Sequence, residues 1–267
     1  MDWLQAVFLA LIQGLTEFLP VSSSAHLILP SQILGWPDQG LAFDVAVHLG
    51  TLIAVVTYFR NDIHSVVDGM LKTLKTREMN TECQLGIAVV VGTIPAVIIG
   101  FLFKDFIELN LRSSLVIALT TIFFGLLLWQ ADRSGKRLLS LDKLNLNHAW
   151  VIGVAQALAL IPGTSRSGIT MTAALMLGFD RTTAARFSML LSIPLIVAAS
   201  ILETHELVTT AAPVPWLLIG LGMLVSAVSA YLCIHYFLKL LERVGMLPFV
   251  IYRLALGGFL LFFIGLG

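Results

Sequence analysis

Two short stretches place polar side chains in apolar surroundings, and the first is TEFLPVSSSAHLILP at residues 16–30. It carries a carboxylate, three consecutive hydroxyls and an imidazole around a proline, at Glu17, Ser22, Ser23, Ser24 and His26. Gln13 lies four residues before Glu17, so both side chains share one face of the preceding helix. A hydroxyl can act as a nucleophile, an imidazole titrates near neutral pH, and a carboxylate can orient either group or bind a metal ion.

The second stretch is IPGTSRSG at residues 161–168, and it supplies the positive charge that the first one lacks. Its small and polar residues are Gly163, Ser165, Arg166, Ser167 and Gly168. The planar guanidinium of Arg166 matches phosphate oxygens, and the small residues let the backbone approach a ligand closely. Together the two stretches predict phosphoryl transfer, which chiefly requires positioning and neutralisation of charge.

The residues around both breaks are predicted to line a substrate. They are Gln13, Ser22, Ser24, Gly163, Ser165, Ser167, Gly168 and Arg253. Arg253, in LPFVIYR, could equally belong to the structure rather than to the site. Asp44 and His48, also four residues apart, lie either in a second layer of this site or along a polar seam.

Each of these groups also has an ordinary structural interpretation. Serines beside a proline in a membrane hairpin often only satisfy backbone groups, and a single histidine is more often packed than catalytic. Glu17 could pair with Gln13 or with a backbone N–H. Arg166 is the exception, because a buried arginine needs an anionic partner. The clustering of all these groups at two matching breaks favours a site.

The composition predicts an all-α, polytopic membrane protein. Of the 267 residues, 58% are hydrophobic and 12% are charged, against roughly 25% charged residues in soluble domains. Apolar runs long enough to cross a bilayer are predicted at 42–59, 85–103, 114–130, 187–202, 216–238 and 248–266. No basic block typical of nucleic-acid binding occurs, so we expect the bilayer, and no nucleic acid, as a partner.

Two further apolar regions are interrupted by the polar breaks. Residues 26–35 and 169–178 follow the breaks and would each rise only about 15 Å as helices, which is too short to span a membrane. We predict that residues 3–35 and 149–178 each form a re-entrant helical hairpin. Their irregular backbone would lie at membrane depth inside a polar cavity.

The chain is predicted to contain an internal repeat. Aligning Pro20 with Pro162 places LIQGLTEFLPVSSSAH over GVAQALALIPGTSRSG, at an offset of 142 residues. Residues 1–130 and 149–267 then form two repeats joined by a cytoplasmic linker at 131–148. Because each repeat adds three spans to one hairpin, the second repeat enters the membrane inverted, and the two breaks meet near the middle. There the starts of both outgoing helices expose unpaired N–H groups, which suit an anion.

The distribution of positive charge predicts the orientation. Most lysines and arginines lie in the segments 60–84, 131–148, 181–186 and 239–243, whereas the loops of the opposite side hold only Lys104 and Arg112. By the positive-inside rule the first group faces the cytoplasm and both termini face outward. The N-terminal residues MDWLQAVFLA lack the positive region of a signal peptide, so we expect them to remain on the mature protein.

The two motifs resemble those of the undecaprenyl pyrophosphate phosphatase family, integral-membrane enzymes linked to bacitracin resistance. QGLTEFLPVSSSAH is similar to the first family signature, an E/Q-x-x-x-E pair followed by P-V-S-S-[ST]-x-H, and PGTSRSG is similar to the second, P-G-x-S-R-S-G. The resemblance covers essentially the whole chain. It implies hydrolysis of undecaprenyl pyrophosphate to the monophosphate and inorganic phosphate in the bacterial inner membrane. It also implies an active site facing the periplasm, a divalent cation (Mg²⁺ or Ca²⁺) and a homodimer.

Carried over residue by residue, the resemblance makes Glu17 the acid and metal ligand of the family, Ser23 its serine, His26 its histidine and Arg166 its arginine. Gln13 stands where many members have a second glutamate, so a metal would depend more on Glu17 and the phosphates of the lipid. We predict that Ser23 attacks the terminal phosphorus, with His26 as general base or acid and Arg166 clamping the phosphates. A phosphohistidine at His26 is the alternative that the sequence leaves open.

A transporter or flippase of a polyprenyl phosphate lipid is the main alternative function, because inverted repeats with broken helices are typical of secondary transporters. A transporter has no need of a nucleophile beside an arginine, which favours the enzyme. A phosphatase of the phosphatidic-acid type ranks lower, since its downstream histidine and aspartate signature is missing from the sequence.

Overall fold

The fold is helical throughout the residues that the computed structural model describes, which are 1–36, 39–210 and 215–266. The helices are α1 (Trp3–Thr16), α2 (Ser23–Leu34), α3 (Leu41–Tyr58), α4 (Arg60–Thr76), α5 (Thr81–Asn110), α6 (Ser114–Ser134), α7 (Leu146–Ala157), α8 (Arg166–Met176), α9 (Arg181–Thr210), α10 (Trp216–Val244) and α11 (Leu247–Leu266). Short 3-10 turns lie at Leu141–Lys143 and Leu158–Leu160.

Six of these helices are long and apolar enough to cross a membrane, and they correspond to the six predicted spans. Their apolar portions are Leu41–Tyr58, Thr81–Ile107, Ser114–Ser134, Arg181–Thr209, Trp216–Val244 and Leu247–Gly265. In contrast, α2 and α8 have only 12 and 11 residues, which is about half of what a span requires. The class of an all-α, polytopic membrane protein is thereby confirmed.

The polar segment after the first span, which the sequence marked only by its positive charge, forms a helix of its own, α4. Val67, Leu71 and Leu74 recur at helical spacing along it and stay exposed, at 48%, 51% and 77%. Gly69 faces α5 instead, where an added Cβ would lie 2.5 Å from Glu82 Cβ. Because many charged residues interrupt the apolar positions between 60 and 84, this segment contains no long apolar run that would indicate a helix.

The two breaks have the same backbone conformation at the residue before each outgoing helix. Ser22 before α2 and Ser165 before α8 have positive φ angles of 74° and 71°, a region that residues other than glycine rarely adopt. In both, the cap hydroxyl lies 3.3 Å from the hydroxyl two residues on, at Ser24 and Ser167. The matching positions are therefore 143 residues apart at the helix starts, one more than at the prolines, because the second break has an additional residue.

Small residues let the helices that lead into the breaks pack closely on their neighbours. A Cβ added to Gly14 of α1 would overlap the side chain of Ser229 and the backbone of α10. A Cβ added to Gly153 of α7 would lie 2.5 Å from the carbonyl oxygen of Gly92 on α5. Close helix contact through small residues is typical of packing in membranes.

A buried carboxylate, Asp132, joins three helix ends on the side away from the breaks. It accepts hydrogen bonds from Arg181 Nε at 2.6 Å and Arg181 Nη2 at 2.8 Å, and Arg137 donates to the same residue. The backbone N–H of Met246, just before α11, donates to the second carboxylate oxygen at 3.4 Å. Asp132 thus ties the end of α6 to the beginnings of α9 and α11.

Replacing Asp132 with asparagine should destabilise the protein without touching the breaks. The substitution leaves two arginines facing a neutral group, and we expect a loss of about 2 kcal/mol, discounted for the partial exposure of Arg181. The thermal midpoint in detergent, followed by size-exclusion recovery, should fall by several degrees. As a matched control, Asp142→Asn removes an exposed carboxylate that pairs with Lys143 at 2.9 Å, and should leave the midpoint unchanged. An unaltered midpoint in Asp132→Asn would contradict this role.

Candidate functional site

Glu17 lies at the centre of the residues that the sequence singled out. Its side chain is 8% exposed, and one oxygen accepts hydrogen bonds from Gln13 Nε2 at 3.0 Å and from Ser23 Oγ at 2.8 Å. The other oxygen lies 3.0 Å from Nη2 of Arg166. The structure therefore brings together residues from both breaks around one carboxylate, which links Ser23 to Arg166.

Arg166 is the first residue of α8, and its side chain is 11% exposed. Besides Glu17, it donates from Nη1 to the carbonyl oxygen of Ser188 at 3.1 Å. Its guanidinium carbon also lies 5.8 Å from the centre of the Phe18 ring. The anionic partner that a buried arginine requires is therefore Glu17, a carboxylate 149 positions earlier in the chain.

The two breaks touch each other directly. Ser167 Oγ donates to the carbonyl oxygen of Leu19 at 2.7 Å. Arg253, which is fully buried, donates to Pro20 of one break at 3.3 Å and to Gly163 of the other at 3.0 Å. A third bond, to the carbonyl oxygen of Thr121 at 3.1 Å, anchors Arg253 to α6. Arg253 thus holds both breaks through backbone carbonyl groups, while its predicted contact with substrate stays a prediction.

Gly163 and Gly168 let the second break lie close to α6 and to Arg253. Gly163 has a φ of +90°, and a Cβ there would clash with the side chain of Thr120 and the backbone of Ile117. A Cβ at Gly168 would lie 2.9 Å from Nη1 of Arg253. The backbone N–H of Gly168 donates to the Ser165 hydroxyl at 3.1 Å, which caps α8.

His26 contacts the backbone of Ser22 and a side chain of α11. Its Nδ1 lies 2.7 Å from the carbonyl oxygen of Ser22, and its Nε2 lies 2.5 Å from the hydroxyl of Tyr252. The two rings are stacked, with centroids 5.5 Å apart and an interplanar angle of 9°. Tyr252 was missed by the sequence analysis, because no spacing links it to a residue 226 positions earlier.

The comparisons with known proteins agree with this arrangement of motifs. Residues 6–259 match the family model described as "Bacitracin resistance protein BacA". The chain belongs to the BacA family. A protein named undecaprenyl-diphosphatase from Alcanivorax borkumensis is 63% identical over 99% of the chain and 100% of that protein. Proteins of the same name from Teredinibacter turnerae and Hahella chejuensis are 61% and 60% identical, over 96% and 98% of the chain and 97% and 98% of their own lengths.

His48 is a further polar neighbour of the central carboxylate in this BacA-family chain. Its Nε2 lies 4.0 Å from the Glu17 carboxylate, and its Nδ1 lies 2.7 Å from the carbonyl oxygen of Asp44. The sequence left two interpretations open for His48, a second layer of the site or a polar seam. The structure places it next to Glu17, while Gln39 donates to the Asp44 side chain at 3.0 Å.

The donors available for a divalent cation are oxygen atoms of Glu17 and Gln13. Gln13 is fully buried, and its Oε1 has no hydrogen-bond partner in the described structure. Carboxylate and amide oxygens are the ligands that Mg²⁺ and Ca²⁺ prefer. Among the described residues no group of three His, Cys, Asp or Glu side chains could hold a metal. The donor types therefore fit a divalent cation only if a ligand such as phosphate supplies further oxygens.

Proposed function

We infer that this BacA-family chain hydrolyses undecaprenyl pyrophosphate to undecaprenyl phosphate and inorganic phosphate, and we propose that the two helix breaks form its active site. The name shared by its relatives supports the reaction. This activity recycles the carrier lipid for peptidoglycan and other cell-wall polymers, and the family name links it to bacitracin resistance. The contact of Glu17 with Ser23 in one break and Arg166 in the other is the observation that supports this location of the site.

Binding of the pyrophosphate is assigned to Arg166 and to the backbone at the starts of α2 and α8. A guanidinium has five N–H donors, so Arg166 can contact Glu17 and Ser188 and still donate to phosphate oxygens. The free N–H groups in the first turns of both helices favour the same anion. The small serines and glycines around them leave room for phosphate oxygens to approach the backbone.

In the first step, Ser23 Oγ attacks the terminal phosphorus and the bond to the bridging oxygen breaks. Undecaprenyl phosphate leaves with the bonding electron pair, and Arg166 stabilises the negative charge on the transferring group. The Ser23 proton passes to Glu17, the carboxylate that its hydroxyl contacts at 2.8 Å. In the second step water attacks the phosphoserine, with His26 as general base or acid, and the bond from phosphorus to Ser23 Oγ breaks. Ser23 regains the proton that Glu17 holds as inorganic phosphate is released.

A phosphohistidine at His26 is the alternative intermediate, and the contacts of that ring argue against it. The carbonyl oxygen of Ser22 accepts a hydrogen bond from Nδ1 of His26, and the Tyr252 hydroxyl lies 2.5 Å from Nε2. For either nitrogen to attack phosphorus, one of these bonds must first break. Ser23 needs no such change.

Glu17 and the side-chain Oε1 of Gln13 would hold a divalent cation, Mg²⁺ or Ca²⁺, together with the phosphates of the lipid. Such a cation, when bound, neutralises charge on the phosphate oxygens. In this chain Gln13 also donates from its Nε2 to Glu17 at 3.0 Å, so it orients the carboxylate as well.

The fold that we propose for this site consists of two inverted repeats, at residues 1–130 and 149–267, joined by a cytoplasmic linker at 131–148. The residues 3–35 and 149–178 would each form a re-entrant hairpin. The matching cap conformations at Ser22 and Ser165 support this repeat. In this repeat α1 corresponds to α7 and α5 corresponds to α10. The packing of α1 against α10 and of α7 against α5 therefore also agrees with a two-fold relation between the halves.

The protein is proposed to lie in the bacterial inner membrane, with both termini and the active site facing the periplasm. The excess of lysine and arginine in 60–84, 131–148, 181–186 and 239–243 supports this orientation. The exposed apolar stripe of α4, next to Lys72 and Lys75, suits a helix that lies at the cytoplasmic surface of the bilayer. A homodimer is proposed on the family resemblance alone.

Phosphate release from an isoprenoid pyrophosphate tests the proposal. The protein is purified in detergent and assayed with a divalent cation present, alongside Arg166→Ala and Ser23→Ala. We expect rapid release from the intact protein and almost none from either variant. Absence of release from the intact protein, with lipid transport in vesicles instead, would replace the enzyme with the flippase alternative.

A further inference from the structure

The hydroxyl of Tyr252 makes a contact that the proposed reaction does not yet use. Tyr252 lies on α11 and His26 on α2, and the Tyr252 hydroxyl is 2.5 Å from His26 Nε2. The Tyr252 side chain is 45% exposed, so it is not held in place by complete burial in the core. Ring stacking alone would be served equally well by phenylalanine, and the hydroxyl is what distinguishes tyrosine here.

The hydrogen bonds of His26 fix which nitrogen carries the proton. The carbonyl oxygen of Ser22 can only accept, so Nδ1 of His26, 2.7 Å away, must be the donor. In the neutral ring Nε2 then has a lone pair, and the Tyr252 hydroxyl donates to it. The two contacts together select one tautomer and one ring orientation.

The hydrogen bonds of the neighbouring residue, Arg253, fix the position of Tyr252. Arg253 donates to Pro20 and Gly163, one residue in each break, and to Thr121. These bonds set the position of α11 against both breaks. Because Tyr252 is adjacent to Arg253 on α11, its position is fixed as well. Residues around a catalytic group commonly hold it in a productive geometry in this way.

We propose that Tyr252 is a positioning residue for His26, which holds its reactive Nε2 in one tautomer and orientation through the hydroxyl group. The inference rests on the proposed function, because it assigns His26 a part in turnover. Tyr252 itself acts through His26 rather than on the phosphates. Its hydroxyl must turn away or pass on its proton whenever Nε2 accepts a proton from another group.

Tyr252→Phe tests this role because it removes the hydroxyl and keeps the stacked ring. We expect kcat for phosphate release to fall by about tenfold, with KM changed less than about twofold. In a His26→Ala background, Tyr252→Phe should cause no additional loss, because the two residues act through one contact. Tyr236→Phe, a tyrosine on α10 that is 64% exposed, serves as the matched control and should retain full activity.

A spectroscopic measurement separates this inference from the proposed function. In protein labelled with ¹⁵N-histidine, the His26 signals should report a proton on Nδ1, and Tyr252→Phe should convert them to a mixture of tautomers. Unchanged signals, an unchanged kcat, or an equal loss in the His26→Ala background would each overturn the positioning role. Failure of the proposed function would appear differently, as absence of phosphate release from the intact protein while the tautomer shift persists.

Discussion

Phosphate release should fall by about 10³-fold or more when Arg166 is replaced with alanine, the loss expected for removal of an arginine that stabilises a transferring phosphoryl group. Arg166 lies at the start of α8, where the free N–H groups of the helix favour the same anion. Its removal takes away a positive charge that lies 3.0 Å from the Glu17 carboxylate. The measurement is kcat in detergent with an isoprenoid pyrophosphate.

Two further variants separate this catalytic effect from a loss of folding. Arg166→Lys keeps the charge next to Glu17 but loses the planar fork, so we expect an intermediate activity from a protein of normal stability. Arg186→Ala breaks another ion pair on α9, with Asp62 at 2.5 Å, and should leave kcat unchanged. An Arg166→Ala protein that elutes as the intact protein does and still releases phosphate at a normal rate would exclude the clamp.

The membrane spans could be predicted from the sequence because each is a continuous apolar run. Their ends could not, since helices continue into polar residues where capping is available. The span predicted at 85–103 is part of α5, which begins at Thr81 and ends at Asn110. The Asn80 side chain accepts from the N–H of Cys83 at this start, and hydropathy carries no information about such a cap.

The breaks were visible in the sequence as short polar interruptions, but the alignment on their prolines does not pair the residues that precede α2 and α8. Pairing Pro20 with Pro162 matches Ser22 with Thr164, whereas the backbone matches Ser22 with Ser165. Gly163, with its positive φ, accommodates the additional residue. Sequence alignment cannot detect this, because serine and threonine are chemically similar at all of these positions.

Some contacts within the site could be predicted from the sequence and others could not. The pairing of Gln13 with Glu17 follows from helical spacing. A buried arginine required an anionic partner, and the structure identifies it as Glu17. The direction that His26 faces did not follow from the motif. Its closeness to Ser23 in the sequence predicted cooperation, yet its ring nitrogens contact the carbonyl oxygen of Ser22 and the hydroxyl of Tyr252 on α11.

In the proposed reaction, the proton of Ser23 goes to a different acceptor from the one that the sequence predicted. Glu17 contacts the Ser23 hydroxyl at 2.8 Å, while both nitrogens of His26 are engaged elsewhere. Since Glu17 also pairs with Arg166, a phosphate that draws Arg166 toward itself makes the carboxylate a stronger base. In the proposed reaction, Glu17 would therefore couple substrate binding to activation of the nucleophile.

Replacing Ser23 with alanine should therefore abolish turnover, with kcat lower by about 10⁴-fold or more, as for loss of a nucleophile. A serine that only orients the substrate would cost far less, about 10- to 100-fold, so the size of the loss separates the two roles. Ser31→Ala is the matched control, because Ser31 lies further along α2 and donates to the carbonyl oxygen of Ile28 at 2.9 Å. Its kcat should be unchanged.

The chemical stability of a trapped intermediate decides between the two nucleophiles independently of rates. Protein quenched during turnover should carry phosphate that survives acid and is released by base, as expected for phosphoserine, and Ser23→Ala should carry none. Phosphate with the opposite behaviour, lost in His26→Ala but present in Ser23→Ala, would assign the attack to His26. In that case the Tyr252 hydroxyl would have to leave Nε2 before each turnover, and Tyr252→Phe would accelerate the first step rather than slow it.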